Sequence, residues 1–267
     1  MASWNNDEAV AAPPARPISA YSSTQVHGSE EVPEYDWNAQ IHAARTDSGH
    51  TLGSVNVTNL WSNFDTLAAL DCDVYAIQEV SIPAAQHGQA KGRAARLGFS
   101  LELTDTDPEQ AQAHAGVGVM VRRPGVLRQL RVNTPEGRDA QAAGRLIRAA
   151  VQPAGGIPLI LLSLYGWAGA DHDNDCVERT DALVSAARLE VAIANDTPTF
   201  VVGDLNASIH RLPALQEALD MQDWIDIGNL HHLELQMPHQ PGLEGGTGPW
   251  PRTNCWAHGP RRPHDGR

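Results

Sequence analysis

The chain is short of lysine, of cysteine and of long apolar runs. Its only lysine is Lys91, so its positive charge rests on arginine, a bias that reflects coding usage more than function. No apolar stretch approaches the length of a membrane-spanning helix. The first twenty residues carry Asp7, Glu8 and Pro13-Pro14 where a secretory leader would have an apolar centre. The cysteines, Cys72, Cys176 and Cys255, are scattered and odd in number, which argues against a disulfide framework and fits a reducing compartment. An intracellular, soluble protein is the expectation, with the nucleus open to it and no membrane partner. Basic surplus is missing too: the formal net charge is -13, which speaks against a broad nucleic-acid-binding surface.

What is present describes a globular chain. With 267 residues, 42% hydrophobic and 19% charged, it is long enough for a substantial core. Charge is uneven along it. Between Arg93 and Arg148 there are nine arginines against six acidic residues, whereas the stretch from Asp171 to Asp226 is heavily acidic. Residues 1–50, rich in Ala, Pro, Ser and Glu without a sustained period, read as a disordered or low-complexity tail, and ordered structure is expected from near Gly53. Residues 51–267 then form the domain, with 229–267 irregular, dominated by Pro, Gly and His. Between these limits strands and helices alternate. Strands are expected at 54–58, 73–77, 99–103, 116–122, 127–132, 144–151, 157–165 and 199–204, the sixth and seventh as a hairpin turning through Pro153, Gly155 and Gly156. Helices are expected at 61–70, 84–97 and 212–219, and in a long segment capped at Asp173 or Asn174 with Ala182, Leu183, Ala186, Leu189 and Ile193 as its apolar stripe.

Chemistry concentrates at strand ends. In Thr199-Phe-Val-Val-Gly-Asp-Leu-Asn206 a buried strand runs into Gly203, where a backbone can approach a ligand, and then into Asp204 and Asn206. Two apart, those side chains share one face, suited to a hard cation, a water or a phosphate oxygen; in isolation the same residues would close an Asx turn. Asn56 lies in the opening strand and Glu79 ends the next as Ala-Ile-Gln-Glu-Val. Residues at the C-terminal edges of neighbouring strands converge on one crevice, so Asn56, Glu79, Asp204 and Asn206 are expected to form one divalent-metal cluster.

These stretches carry a resemblance. Val55-Asn-Val-Thr-Asn-Leu60, Asp73-Val-Tyr-Ala-Ile-Gln-Glu79, Gly116-Val-Gly-Val-Met-Val121, Gly144-Arg-Leu-Ile147, Leu164-Tyr165 and Val202-Gly-Asp-Leu-Asn206 follow the order of the endonuclease/exonuclease/phosphatase, or DNase I-like, family. The resemblance covers about residues 53 to 230 and implies an α/β, four-layer sandwich of two mixed β-sheets flanked by helices. It implies that Glu79 is the main Mg²⁺ carboxylate, with Mn²⁺ as an acceptable substitute, and that Asn56 supports it. Asp204 would orient and help activate the attacking water, and Asn206 would hold that water or the scissile phosphate. Tyr165, in Ser163-Leu-Tyr165-Gly-Trp167, resembles the tyrosine of abasic-site and retroelement endonucleases, where phosphatase, deadenylase and sphingomyelinase members carry Asn-x-His. The phenol would contact the scissile phosphate, or stand in solvent. Trp167 would stack on a base or sugar, or cover its loop.

Other motifs are weaker. Arg122, Arg123, Arg128 and Arg131 are candidates for DNA phosphates or for a solvated face. Cys255-x-x-His258, with His231, His232, His239 and His264 nearby, has zinc-ligand spacing without a second pair and reads as a loose loop. The family normally ends with a strand carrying Arg-x-Asp and then Ser-Asp-His. Here His264-Asp265 stands in reversed order with no apolar strand before it, which reads as C-terminal truncation of an otherwise Mg²⁺-dependent DNA endonuclease, DNA being favoured over RNA. A phosphatase or lipid phosphodiesterase, and a catalytically inactive remnant, are the alternatives.

Overall fold

The computed structural model describes residues 50–104, 116–170, 172–194 and 197–226, together with the backbone of 40–45 and 254–258. Two mixed sheets pack face to face. The first holds β1 (Gln40–Arg45), β2 (Thr51–Asn56), β3 (Val74–Gln78), β4 (Phe99–Leu103) and β5 (Val117–Arg122) in the order β1-β2-β3-β5-β4. The second holds β6 (Val126–Gln129), β7 (Leu146–Gln152), β8 (Leu159–Tyr165), β9 (Thr199–Asp204), β10 (Ile225–Asp226) and β11 (Asn254–His258) in the order β10-β11-β9-β8-β7-β6. Among the described residues only β2 with β3 and β8 with β9 pair in parallel. Helices α1 (Leu60–Ala69) and α2 (His87–Arg96) cover the first sheet, while α3 (Pro135–Ala142), α4 (Asn174–Ile193) and α5 (Pro213–Asp220) cover the second. The expected four-layer α/β sandwich is what forms. No helix among the described residues is long and apolar enough to cross a membrane.

Strand alternation builds these layers and also selects the site. Val117, Val119 and Val121 of β5, Leu159 and Leu161 of β8, and Phe200 and Val202 of β9 point between the sheets. Their neighbours Met120, Ile160, Leu162, Leu164 and Val201 point out to the helices. Strands buried on both faces read as continuous apolar runs, as these do. Continuing the inward register by two residues brings Asn56 after Ser54, Tyr165 after Ser163 and Asp204 after Val202. The parallel pairs end level, with Asn56 opposite Gln78 and Tyr165 opposite Asp204.

Several elements depart from the sequence reading. β1 pairs antiparallel with β2 inside the segment taken as a tail; an edge strand held by backbone bonds needs little hydrophobic pattern. Helix α3 goes unforeseen because it is eight residues long and buries only Gly137 and Ala140, although Thr134 accepts from the Gly137 N–H and Pro135 opens the first turn. Of the expected α4 stripe, Leu183 and Ala186 are buried, whereas Ala182, Leu189 and Ile193 are exposed. Leu189 and Ile193 are 49% and 52% exposed, while Glu190 is fully buried. That carboxylate accepts from the backbone N–H groups of Asn133 and Thr134 at 2.8 and 2.7 Å, so the helix turns it inward to hold the start of α3.

Cys255-x-x-His258 lies on strand β11 and not in a loose loop, and β11 runs antiparallel to β9 with Asn254 opposite Gly203. A strand therefore does precede His264-Asp265. His231, His232, His239 and His264 lie outside the described residues.

Candidate active site

Four strand ends contribute one polar cluster. The Asn56 Nδ2 donates to Glu79 Oε1 at 2.8 Å and to Asp204 Oδ2 at 3.0 Å, joining residues from both sheets. The Tyr165 hydroxyl donates to the same Glu79 Oε1 at 2.7 Å. Asp204 Oδ1 accepts the Asn206 N–H at 3.0 Å, an Asx turn, so the carboxylate both closes the turn and faces the cluster. The two roles set apart in the sequence are performed by one side chain. Asn206 Nδ2 donates to the Gly166 carbonyl at 3.2 Å, which places its amide beside the turn after β8. All five predicted residues, Asn56, Glu79, Tyr165, Asp204 and Asn206, are thus linked through hydrogen bonds.

Local backbone supports this convergence. Thr58, Glu79, Ser81 and Asn206 have φ of 52°, 55°, 51° and 52°, left-handed conformations unusual for residues with a Cβ. They follow β2, β3 and β9, where such strain marks functional loops. Gly203 serves a different purpose from the expected approach to a ligand. A Cβ there would run into the Leu164 backbone, and one at Gly166 into the Leu205 backbone, so the two glycines let the ends of β8 and β9 close on each other.

A buried polar layer lies beneath the carboxylates. Gln78 accepts from Ser54 Oγ at 3.3 Å and donates to Ser163 Oγ at 3.1 Å, crossing from the first sheet to the second. Each of the three is buried. The Gln-Glu pair singled out by the sequence is therefore half bridge and half site, because successive residues at a strand end face different ways.

Arg145 is the site residue that sequence reasoning passed over. It precedes β7, is 3% exposed, donates through Nη1 to the Gly166 carbonyl at 3.0 Å, and lies 4.6 Å from the Tyr165 ring centroid and 5.0 Å from that of Trp167. Its signal was the arginine of Gly144-Arg-Leu-Ile, a charge just ahead of a buried strand. Burial depresses the guanidinium pKa, opposed by the neighbouring phenol. Burial, then the Glu79 hydrogen bond and charge, pushes the Tyr165 phenol above its ordinary value, so it remains a proton donor at neutral pH. Tyr165 is 5% exposed, which rules out a hydroxyl standing free in solvent.

The arginine candidates separate by position. Arg122 and Arg123 lie at the opposite end of β5 from Val117, which pairs with Gln78. Arg122 is engaged there by the Leu70 carbonyl at 2.9 Å and the Phe99 ring at 4.8 Å, and Arg123 by Ser100 Oγ. Arg128 and Arg131 are exposed on and just after the edge strand β6.

The donor set suits a hard divalent ion. Glu79 and Asp204 bring carboxylate oxygens within hydrogen-bond reach of a single amide nitrogen, a proximity of like charges that a cation would relieve. Among the described residues no group of three His, Cys, Asp or Glu side chains could hold a metal, so water or substrate would supply the remaining ligands, as Mg²⁺ prefers.

Comparison with known proteins gives the same fold. The profile of the Endonuclease/Exonuclease/phosphatase family matches residues 58–265. The match runs past β11. No curated protein matches the chain in sequence. The crystal structure of the AP endonuclease LMAP from Leishmania major matches with a TM-score of 0.55 at 11% identity, covering 78% of this chain and 79% of that one. The Xenopus laevis APE2 catalytic domain matches with a TM-score of 0.43 at 14% identity, covering 59% and 58%. Truncated Caenorhabditis elegans TDP2 matches with a TM-score of 0.46 at 12% identity, covering 75% and 78%. This chain spans as little as 53% of a matched structure, and the likeness is one of fold.

Proposed function

The chain belongs to the endonuclease/exonuclease/phosphatase family, and on that premise we propose that it is a Mg²⁺-dependent phosphodiesterase cutting nucleic acid, DNA in preference to RNA. The observation that carries this reading is the hydrogen-bonded set Asn56, Glu79, Tyr165 and Asp204, drawn from both sheets and closed by a tyrosine where other branches have Asn-x-His. Glu79 would hold the ion, with Asn56 fixing the spacing between Glu79 and Asp204. Bound there, Mg²⁺ supplies Lewis-acid stabilisation of charge on the phosphoryl oxygens. Asp204 is held by two amide donors, Asn56 Nδ2 and the Asn206 N–H, in one orientation from which it accepts a proton from the attacking water. Asn206 and the Tyr165 hydroxyl are the polar groups nearest the reacting phosphate. With Glu79 holding the ion, the phenol, which retains its proton, would donate to the phosphate. Trp167 belongs to the substrate side of the site through the arginines it carries.

A retroelement origin completes the proposal, and Tyr165 supports it. The test is cleavage of supercoiled plasmid and of an abasic-site duplex by the full chain, with Mg²⁺ and with EDTA, beside Asp204→Ala. Metal-dependent nicking that Asp204→Ala abolishes is the expected result. A chain that is folded by circular dichroism yet leaves both substrates intact would favour the inactive remnant.

A further inference from the structure

A ladder of alternating cations and rings leads from the surface to the site. The Arg179 guanidinium lies 4.9 Å from the Trp167 ring centroid, Arg145 lies 5.0 Å from the same ring, and Arg145 lies 4.6 Å from the Tyr165 ring. The Tyr165 hydroxyl then ends on Glu79. Loop and helix fix the upper steps of the ladder. Thr180 Oγ1 accepts the Trp167 N–H at 3.0 Å, tying the loop after β8 to the α4 turn that carries Arg179. Thr180 itself is fully buried, so this anchor is rigid.

The two arginines differ in what they have left to offer. Arg145 is buried and committed to the Gly166 carbonyl. Arg179 is exposed, and no carboxylate among the described residues engages it. Other arginines on the helices of the same sheet are already occupied. Arg211 is bound to the Ala170 carbonyl and to Asn174, Arg188 to the Ala214 carbonyl and to Glu217, and Arg138 to the Asn133 carbonyl. A guanidinium stacked on an indole is pre-ordered in its plane and keeps its edge donors open, a geometry matched to phosphate oxygens. The Trp167 ring, carrying two guanidiniums, is a platform for them in place of a base.

We propose that Arg179 binds a second phosphate of the substrate, flanking the one presented to Glu79 and Asp204, so that the preferred substrate is a phosphodiester within a nucleotide chain and not an isolated phosphate ester. This rests on the phosphodiesterase reading of the site. It also explains how a chain of net charge -13 engages a polyanion: one held arginine beside the site takes the place of a broad basic surface.

Two measurements on the full chain test it. The first is equilibrium binding of a short fluorescein-labelled DNA strand in EDTA across a series of KCl concentrations. Arg179→Gln is expected to weaken binding about tenfold and to make the dependence of log K on log[KCl] shallower by about 0.7, the loss of one single-strand phosphate contact. Arg179→Lys should restore the slope and only part of the affinity, because charge returns without the planar stack. A merely structural residue would not change the slope by one contact. The second is Mg²⁺-dependent hydrolysis of the same strand against bis(p-nitrophenyl) phosphate, which has no flanking phosphate. Arg179→Gln should raise KM for the strand about tenfold and leave that of the small diester unchanged. Equal effects on both substrates, or an unchanged salt slope, overturn the assignment while leaving the phosphodiesterase reading in place. Wild-type chain that neither binds nor cuts the strand overturns both.

Discussion

At Tyr165 a buried hydroxyl ends on a carboxylate, and this separates the residue from a tyrosine that merely closes a strand. Its ring is fixed under Arg145, so Tyr165→Phe removes one hydrogen bond and little packing. A single hydrogen bond to a charged group is worth about 1.5–3 kcal/mol, so kcat should fall about ten- to hundredfold, and the lost bond to Glu79 should lower the melting temperature by several degrees. Asp204→Ala should cost about a thousandfold or more if Asp204 takes the water's proton as proposed. Steady-state rates on one DNA substrate compare the two. Equal losses would show that the phenol takes part in the reaction itself and does more than hold Glu79 or the phosphate. Far from the site, burial pushes the Cys72 thiol up to about 11 and raises the Tyr75 phenol further. Each is an acid whose neutral form the fold prefers. The thiol's contribution is therefore complete below pH 9.0, its ordinary value, and is lost as pH rises toward about 11, while the phenol's begins to be lost only above 10.0. Urea melts across the alkaline range should show this loss, and Cys72→Val should flatten its first part.

Helix α4 shows how far a single element is legible from its sequence. Its existence, its Asp173 cap and the burial of Leu183 and Ala186 follow from the sequence, but which residues its last two turns bury does not. Leucine and isoleucine at 189 and 193 compose a plausible stripe, yet Glu190 takes the core position because four donors await it: the N–H groups of Asn133 and Thr134, Asn133 Nδ2 and Thr134 Oγ1. Arg148, itself mostly buried, stands 3.6 Å from the carboxylate. No local pattern announces a partnership 57 residues distant. Removing one side of a buried charge pair costs about 3–5 kcal/mol, so Glu190→Ala should lower stability by roughly that much in urea unfolding. Leu189→Ser, on the reading that takes Leu189 as core, would cost about as much as a buried leucine; on the structure it should change stability by less than about 0.5 kcal/mol. Strands β3, β5, β8 and β9 were legible because they are apolar on both faces. β1 and β11 were not, because one is an edge and the other lies in a stretch of sequence dominated by Pro, Gly and His.

At the scale of the molecule the site is also a joint. Asn56, Gln78 and Glu79 come from the first sheet, and Ser163, Tyr165 and Asp204 from the second. Among the described residues three hydrogen bonds between side chains cross the gap: Asn56 to Asp204, Tyr165 to Glu79 and Gln78 to Ser163. Elsewhere the sheets meet through apolar side chains, which hold them together without fixing the distance between their ends. Two carboxylates on opposite sides of this joint repel, and a cation held by them would reverse the sign of that interaction. Cation binding would then be linked to folding and add RT ln(1 + [L]/Kd), about 2.7 kcal/mol at a hundredfold excess over Kd. The melting temperature should rise with the logarithm of Mg²⁺ concentration, by several degrees at saturation. Glu79→Gln and Asp204→Asn each remove one of the repelling charges, so both variants should melt at or above the wild type in EDTA and respond little to Mg²⁺. Calorimetry in EDTA and across a Mg²⁺ series reads both effects. A wild-type melting temperature indifferent to Mg²⁺ would mean that the carboxylates do not share an ion, and the proposed metal chemistry would have to be placed elsewhere in the chain.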